Sequence, residues 1–296
     1  MKPLRSIVRT MRPGQWVKNL FVFAPAVFAK AHSEAHPEIL LQAALATLVF
    51  ILLAGAVYVM NDVLDVDKDR LHPTKRNRPI ASGALSIQNA LAGGLLSLAA
   101  AYAIGYFLGG AFNLVATGYL ALNIAYSTTL KHIAYLDVLS IATGFLLRIL
   151  AGSLAIGLSR DEISIYLVGC TFLVALFLGL GKRRHELATL GEDSGKRRPA
   201  LRQYRLHHLD VALAIVAALT VAAYAFYTVA PQTRAYFGSM RLVATVPFVL
   251  IGIGRFLFLL RRKDEDRSPT DVMIRDAFFV VNIVLWAGVA AWAIYG

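Results

Sequence analysis

Cysteine is almost absent from this sequence: of 296 residues, only Cys170 carries a thiol. One cysteine excludes an intrachain disulfide and rules against a Cys-based zinc site. Acidic residues are also scarce, with 18 Asp and Glu against 30 Lys and Arg, a formal net charge of +12. No low-complexity linker, soluble domain or convincing internal repeat interrupts the chain. What fills it instead is apolar. Hydrophobic residues make up 57% of the chain and the mean hydropathy is +0.60, against about 45–50% apolar content in soluble domains. That excess points to a membrane protein.

A transmembrane helix needs about 20 mostly apolar residues to cross a hydrocarbon core ~30 Å thick. Nine stretches qualify, near residues 17–36, 38–60, 88–108, 111–128, 133–157, 163–181, 209–230, 242–260 and 277–295. The first has Lys30 and His32 near its far end. Gly109-Gly110 and Pro231 read as tight turns between spans. The expected architecture is all-α and polytopic, one membrane domain over residues 1–296. A competing reading of Lys18 to Ala31 is a cleaved signal peptide, with basic residues, an apolar run and Ala29-Lys30-Ala31. The interrupted apolar run and the later spans weigh against it.

The basic excess could suggest nucleic acid, but its distribution argues otherwise. With the N-terminus on the cytoplasmic side, only Lys30, Arg160, Arg234 and Arg241 fall opposite, and Arg148 and Arg255 fall within spans. The remaining Lys and Arg lie on one side. This is the positive-inside pattern, and it implies an odd number of spans with the C-terminus outside. The same charge would attract anionic lipids and phosphorylated substrates.

The second span runs into YVMNDVLDVDKDRLHPTKRNRPIASG, residues 58–83. Asn61, Asp65 and Asp69 are spaced four apart and share one face if the helix continues. Asp62 precedes Asp65 by three. Like charges at this spacing repel, and a divalent cation offsets that repulsion. Oxygen ligands from Asp and Asn suit Mg²⁺, which usually shares substrate phosphates. Pro73 should end the helix. Lys75, Arg76 and Arg78 follow, so cations adjoin an acidic metal site, as a diphosphate cradle requires. Positive-inside alone could account for the basic residues. It gives no reason for four acidic residues within eight positions at a cytoplasmic edge.

NxxxDxxxD at Asn61, Asp65 and Asp69, followed by HPTKRxRPIASG and embedded among nine candidate spans, resembles the first aspartate-rich motif of the UbiA prenyltransferase superfamily. The resemblance covers nearly the whole chain. It implies a helical fold around a central cavity that opens to the cytoplasm, Mg²⁺-bound diphosphate at Asn61, Asp62, Asp65 and Asp69, and a lipid-facing portal. In AYSTTLKHIAYLDV, Tyr126 and Lys131 resemble the superfamily's tyrosine–lysine pair at the phosphate site, one residue further apart than the common form. Lys131 could otherwise be a snorkelling interface residue.

In the fifth span, Asp137 and Arg148 are eleven residues apart, about three helical turns, with Arg148 about 16 Å deeper. A charge at that depth faces a cavity or a partner. The pair is read either as lying near the substrate phosphate or as a structural ion pair with a neighbouring helix.

The loop after the sixth span, GLGKRRHELATLGEDSGKRRPALRQY, lacks the second DxxxD of most aromatic prenyltransferases in the superfamily. Lys182, Arg183 and Glu186 stand there, a set suited to a bare phosphate. Lys196, Arg197 and Arg198 fit positive-inside. This departure, with RPGQWVKN at Arg12–Asn19, resembles the superfamily branch that transfers phosphoribosyl groups to decaprenyl phosphate.

The resemblance implies phosphoribosyl diphosphate as donor, a polyprenyl phosphate as acceptor, a bacterial inner-membrane location and a place in cell-wall biosynthesis. Asn61, Asp65 and Asp69 then hold Mg²⁺ with Asp62, Lys131 is catalytic, and Lys75, Arg76 and Arg78 screen the donor. Lys18, Lys131, Lys182 and Arg183 steer the acceptor phosphate. A phosphate ionised near neutral pH requires no strong general base, and His72 before Pro73 is read as a loop residue. Two rivals remain: an aromatic prenyltransferase of quinone or chlorophyll/haem type, and a transporter. Transporter sites usually lie near the midplane, whereas the charges here gather at one edge.

Overall fold

The structure, a computed structural model, describes residues 2–28, 38–159, 163–190, 199–261 and 269–295. Among these residues there are helices and turns but no strand. They are α1 (Lys2–Thr10), α2 (Ala24–Phe28), α3 (Ile39–Leu64), α4 (Val66–Leu71), α5 (Ile87–Leu108), α6 (Gly110–Thr128), α7 (Leu136–Ala155), α8 (Ile165–Leu190), α9 (Leu206–Val229), α10 (Pro231–Phe237), α11 (Val246–Arg261), α12 (Pro269–Arg275) and α13 (Ala277–Tyr295). Single 3₁₀ segments lie at Pro13–Val22, Lys75–Asn77, Leu130–His132, Pro199–Gln203 and Arg241–Thr245.

Seven of the described helical stretches are long and apolar enough to cross a membrane: Ile39–Leu64, Ile87–Leu108, Leu136–Ala155, Ile165–Thr189, Leu206–Val229, Arg241–Arg261 and Ala277–Ile294. The protein is an integral membrane protein, but the count of nine is not confirmed. α6 covers the expected 111–128 stretch with 19 residues. It is not among the seven. The expected first span departs most. Residues 13–22 form a 3₁₀ segment and 24–28 a short helix, so no long helix forms over the described part of 17–36. Lys30, His32 and the Ala29–Ala31 end of the signal-peptide reading lie outside the described residues, as do Arg160 and Lys196–Arg198.

The expected punctuation is present. Gly109 adopts φ 98° between α5 and α6, a backbone state open to glycine and strained for other residues. Pro231, expected in a tight turn between spans, instead opens the short helix α10, where its missing N–H costs nothing. α4 ends at Leu71, and His72 turns extended with ψ 134°, as the residue before Pro73 should. Ser86 caps α5 by accepting a hydrogen bond from the Asn89 amide at 3.3 Å.

The chain divides into two compact units, Met1–Thr128 with Leu147–Ile163, and Thr129–Leu146 with Ser164–Gly296. In the first, α3 is the central helix: 61% of its apolar window is buried, against 17% for α5. Phe50, Phe112, Tyr119, Val22 and Ala151 form its main core, and Met11, Val59, Ile80 and Leu85 a second. Small residues permit close backbone approach, which matters where lipid supplies no hydrophobic drive between helices. At Gly152, a Cβ would meet the Val22 carbonyl oxygen at 2.0 Å. In the second unit, Phe177, Leu180, Leu201, Leu209, Phe256 and Leu260 form one core.

Candidate active site

The acidic row runs from the end of α3 into α4. α3 ends at Leu64, and Asp65, at φ −97° and ψ 7°, sits at the break before α4. The helical hydrogen bonds still bridge it, from the Asp65 amide to Asn61 O at 3.0 Å and from the Asp69 amide to Asp65 O at 2.8 Å. Asn61, Asp65 and Asp69 thus stay about one turn apart, and burial separates the acidic residues. Asp62 and Asp69, about two turns apart, are the buried carboxylates, with side chains 2% and 3% exposed. Asp65 is 39% exposed and lies 4.0 Å from Lys68. Asn61 is half-buried.

Arginines join the two buried carboxylates. Arg78 Nη1 donates to Asp62 Oδ1 at 3.0 Å and to Asp69 Oδ2 at 2.6 Å. Arg12 Nη2 donates to the same Asp62 oxygen at 2.5 Å, and its guanidinium lies 4.7 Å from the centre of the Tyr58 ring. Lys75 Nζ stands 3.9 Å from Asp69. Arg76 is exposed. Sequence reasoning placed Lys75 and Arg78 beside the acidic motif but missed Arg12 and Tyr58. The available signal was RPGQWVKN, whose first residue is Arg12.

Among the described residues, no three His, Cys, Asp or Glu side chains gather closely enough to hold a metal by themselves. The donors present are hard oxygens: two buried carboxylates, with Asn61 and Asp65 on the same turns. Mg²⁺ is usually held by one or two carboxylates, with water and substrate phosphate completing the shell. The set therefore fits a shared metal–diphosphate site rather than a closed protein cage.

A second polar constellation lies in the Thr129–Leu146 and Ser164–Gly296 unit. Asp137, fully buried at the start of α7, accepts from Arg183 Nε at 2.7 Å and from Tyr204 Oη at 2.5 Å. Arg183 Nη1 donates to Glu186 at 2.5 Å. Burial, then the hydrogen bond to Asp137, holds the Tyr204 phenol well above its ordinary range, so it remains a donor at neutral pH. Tyr204 Oη also accepts from the Tyr135 amide at 2.7 Å. Gln203 accepts from the Ala134 amide at 3.1 Å and donates to His132 O at 3.2 Å.

The Pro199–Tyr204 stretch thus pins the backbone just after Lys131, where Tyr135 takes φ 64°. The structure brings Asp137, Arg183 and Glu186 together, but as mutual partners. Arg183 is 2% exposed, which removes it from the cations open to a substrate phosphate. Lys182 is the exposed member of that motif.

Arg148 has partners of its own in the Met1–Thr128 and Leu147–Ile163 unit. It donates from Nε to Asn19 Oδ1 at 3.0 Å and from Nη2 to Tyr119 Oη at 2.7 Å, with the Tyr119 ring 4.7 Å below its guanidinium. These contacts hold a deep cation whose isolated burial would be costly. Asn19, the last residue of RPGQWVKN, is 1% exposed. Lys18 is exposed in the Pro13–Val22 segment, Tyr126 is half-buried near the end of α6, and Lys131 is half-buried in the Leu130–His132 turn.

An all-helical membrane chain with an acidic, arginine-lined helix end defines a class of intramembrane transferase. The model of the UbiA prenyltransferase family matches residues 19–283, and the chain belongs to that family. It is 33% identical over 300 residues to the decaprenyl-phosphate phosphoribosyltransferase of Mycobacterium tuberculosis, covering 97% of this chain and 94% of that protein. The enzyme of the same name from Corynebacterium glutamicum is 30% identical over 292 residues, covering 98% and 86%. A UbiA homologue from Archaeoglobus fulgidus, solved bound to GPP and Mg²⁺, shares the fold at a TM-score of 0.69 and 20% identity, over 98% of this chain and 100% of that one.

Proposed function

We propose that this transferase moves the 5-phosphoribosyl group of phosphoribosyl diphosphate to a polyprenyl phosphate of decaprenyl type, with Mg²⁺, at the cytoplasmic face of a bacterial inner membrane. The observation that carries the reading is the pair of buried carboxylates, Asp62 and Asp69, edged by Arg12, Arg78 and Lys75. That is the equipment for one diphosphate. The near full-length likeness to two decaprenyl-phosphate phosphoribosyltransferases supports the choice of donor and acceptor. So does the lack of a second DxxxD in residues 179–204.

Asp62 and Asp69, with Asn61 and Asp65, would hold the metal. Mg²⁺, when bound, offsets the charge that develops on the departing diphosphate. Arg78, Arg12 and Lys75 donate to diphosphate oxygens, and Arg76 is the exposed cation of the same loop. An acceptor phosphate oxygen forms a bond to the anomeric carbon while the bond from that carbon to the diphosphate oxygen breaks. The electron pair leaves with diphosphate. Lys131 and Lys182 steer the acceptor phosphate. Asp137, Arg183 and Glu186 act through the backbone that follows Lys131. Arg148 fixes Asn19 and hence the segment bearing Lys18.

The test is to incubate purified protein with Mg²⁺, polyprenyl phosphate and phosphoribosyl diphosphate beside Asp69→Asn, and to weigh the lipid product. The expected result is a phosphoribosylated lipid that falls at least about a hundredfold in the variant, the scale of losing one preorganised charge-stabilising group. Activity on a prenyl diphosphate and an aromatic acceptor instead would leave the family standing and overturn these substrates.

A further inference from the structure

We propose that Arg12 and Arg78 are resident counter-ions that keep bare divalent metal out of the acidic site, so that metal and diphosphate bind only together. This rests on the metal–diphosphate reading above. Two carboxylates, Asp62 and Asp69, face Arg12 at 2.5 Å, Arg78 at 3.0 and 2.6 Å and Lys75 at 3.9 Å. Counting Asp65 and the Lys68 4.0 Å from it, three negative charges against four positive ones leave this cluster cationic, which repels a free divalent ion and attracts a polyanion.

Three of the four oxygens of Asp62 and Asp69 are also engaged. Asp62 Oδ1 accepts from both arginines, Asp69 Oδ2 accepts from Arg78, and Asp69 Oδ1 faces Lys75. A metal entering alone must displace a guanidinium and leave it beside a dication. Diphosphate removes that penalty, because its oxygens accept from the displaced arginine and complete the metal's shell. Each ligand therefore lowers the cost of the other, and such coupling is reciprocal.

The arginines are placed rather than incidental. Arg12 adopts φ 54° and ψ 71°, a left-handed conformation uncommon outside glycine, and its guanidinium stacks on Tyr58 as it reaches Asp62. Arg78 lies in extended backbone before Pro79 with ψ 146°, and its side chain reaches Asp62 and Asp69. Their side chains remain 33% and 27% exposed, which leaves room to swing from carboxylate to diphosphate without unpacking the core.

Equilibrium dialysis of Mn²⁺ against the full-length protein in nanodiscs, with and without inorganic diphosphate, tests this without any transfer reaction. Protein-free dialysis corrects for Mn²⁺ held by diphosphate in solution. Wild type should retain Mn²⁺ weakly alone and roughly 5- to 150-fold more tightly with diphosphate, the usual range of coupling between two ligands. Arg78→Gln should bind Mn²⁺ alone more tightly than wild type and lose most of the gain from diphosphate. Arg12→Gln should shift the same way by less, and serves if Arg78→Gln fails to fold. Tight Mn²⁺ binding to wild type that diphosphate does not change would overturn the coupling but leave the metal site. Variants no tighter than wild type would overturn the role of the arginines. No Mn²⁺ retained in either condition would overturn the coupling and the metal–diphosphate reading together.

Discussion

Replacing Asp137 by Ala tests whether the buried Asp137–Arg183 pair is structural. Arg183 is 2% exposed and Asp137 fully buried, joined at 2.7 Å. Removing one partner of a buried pair typically costs about 3–5 kcal/mol, because the other charge is left uncompensated. Here Glu186 still holds Arg183 Nη1, so the expected loss is at the lower end, about 3 kcal/mol. Removing both charges with Asp137→Ala and Arg183→Met should recover at least roughly half of it, since replacing a whole buried pair by apolar groups is often near neutral. Equilibrium unfolding of the full-length protein in mixed detergent–SDS micelles reads both values. A single variant within about 0.5 kcal/mol of wild type, the usual range for surface changes, refutes the reasoning. So does a double variant as unstable as the single one.

Three further outcomes follow from the same geometry. Gly152→Ala should destabilise by about 1–3 kcal/mol or more, as overpacking does, because its Cβ would meet the Val22 carbonyl oxygen at 2.0 Å. Gly118→Ala, inside α6 with nothing within 4 Å, should instead stabilise by up to about 1 kcal/mol in the same unfolding assay. Tyr204→Phe should cost about 1–3 kcal/mol by leaving the Tyr135 amide without its acceptor, read as faster hydrogen exchange at Tyr135; unchanged exchange would show that Tyr204 does not pin that turn. Removing divalent metal with EDTA should abolish lipid transfer, and Mg²⁺ should restore it; transfer that persists through chelation would remove the metal from the reaction.

Much of the architecture was legible because a bilayer asks a local question of each segment. A long enough apolar run must form a helix to satisfy its own backbone, and most of the expected spans appear where the hydropathy placed them. Gly109, Pro73 and Pro231 acted at once on their own backbone, so they too could be read in place. The stretch at 17–36 misled for a related reason. Its apolar content is adequate, yet Pro25 interrupts the run, and residues 13–22 wind as a 3₁₀ segment around Asn19, which turns inward to Arg148.

At the candidate site, the residue types and their neighbourhood were readable, and the roles within it were not. NxxxDxxxD announced an oxygen-rich, basic-edged helix end, but spacing does not say which of its carboxylates are buried. Packing buries Asp62 and Asp69 and leaves Asp65 partly exposed. Arg183, read as a phosphate ligand from its place in the loop, is claimed by Asp137, 46 positions away. Arg12 reaches Asp62 across 50 positions.

The sequence by itself determined that this chain is a helical membrane protein of the UbiA family with an acidic motif at one helix end, because apolar length, helix breakers and motif spacing are properties of neighbouring residues. Only the tertiary structure decided which charges meet. An ion pair in a low-dielectric interior depends on distances set by how helices pack, and no local pattern encodes the partner of a side chain that lies dozens of positions away.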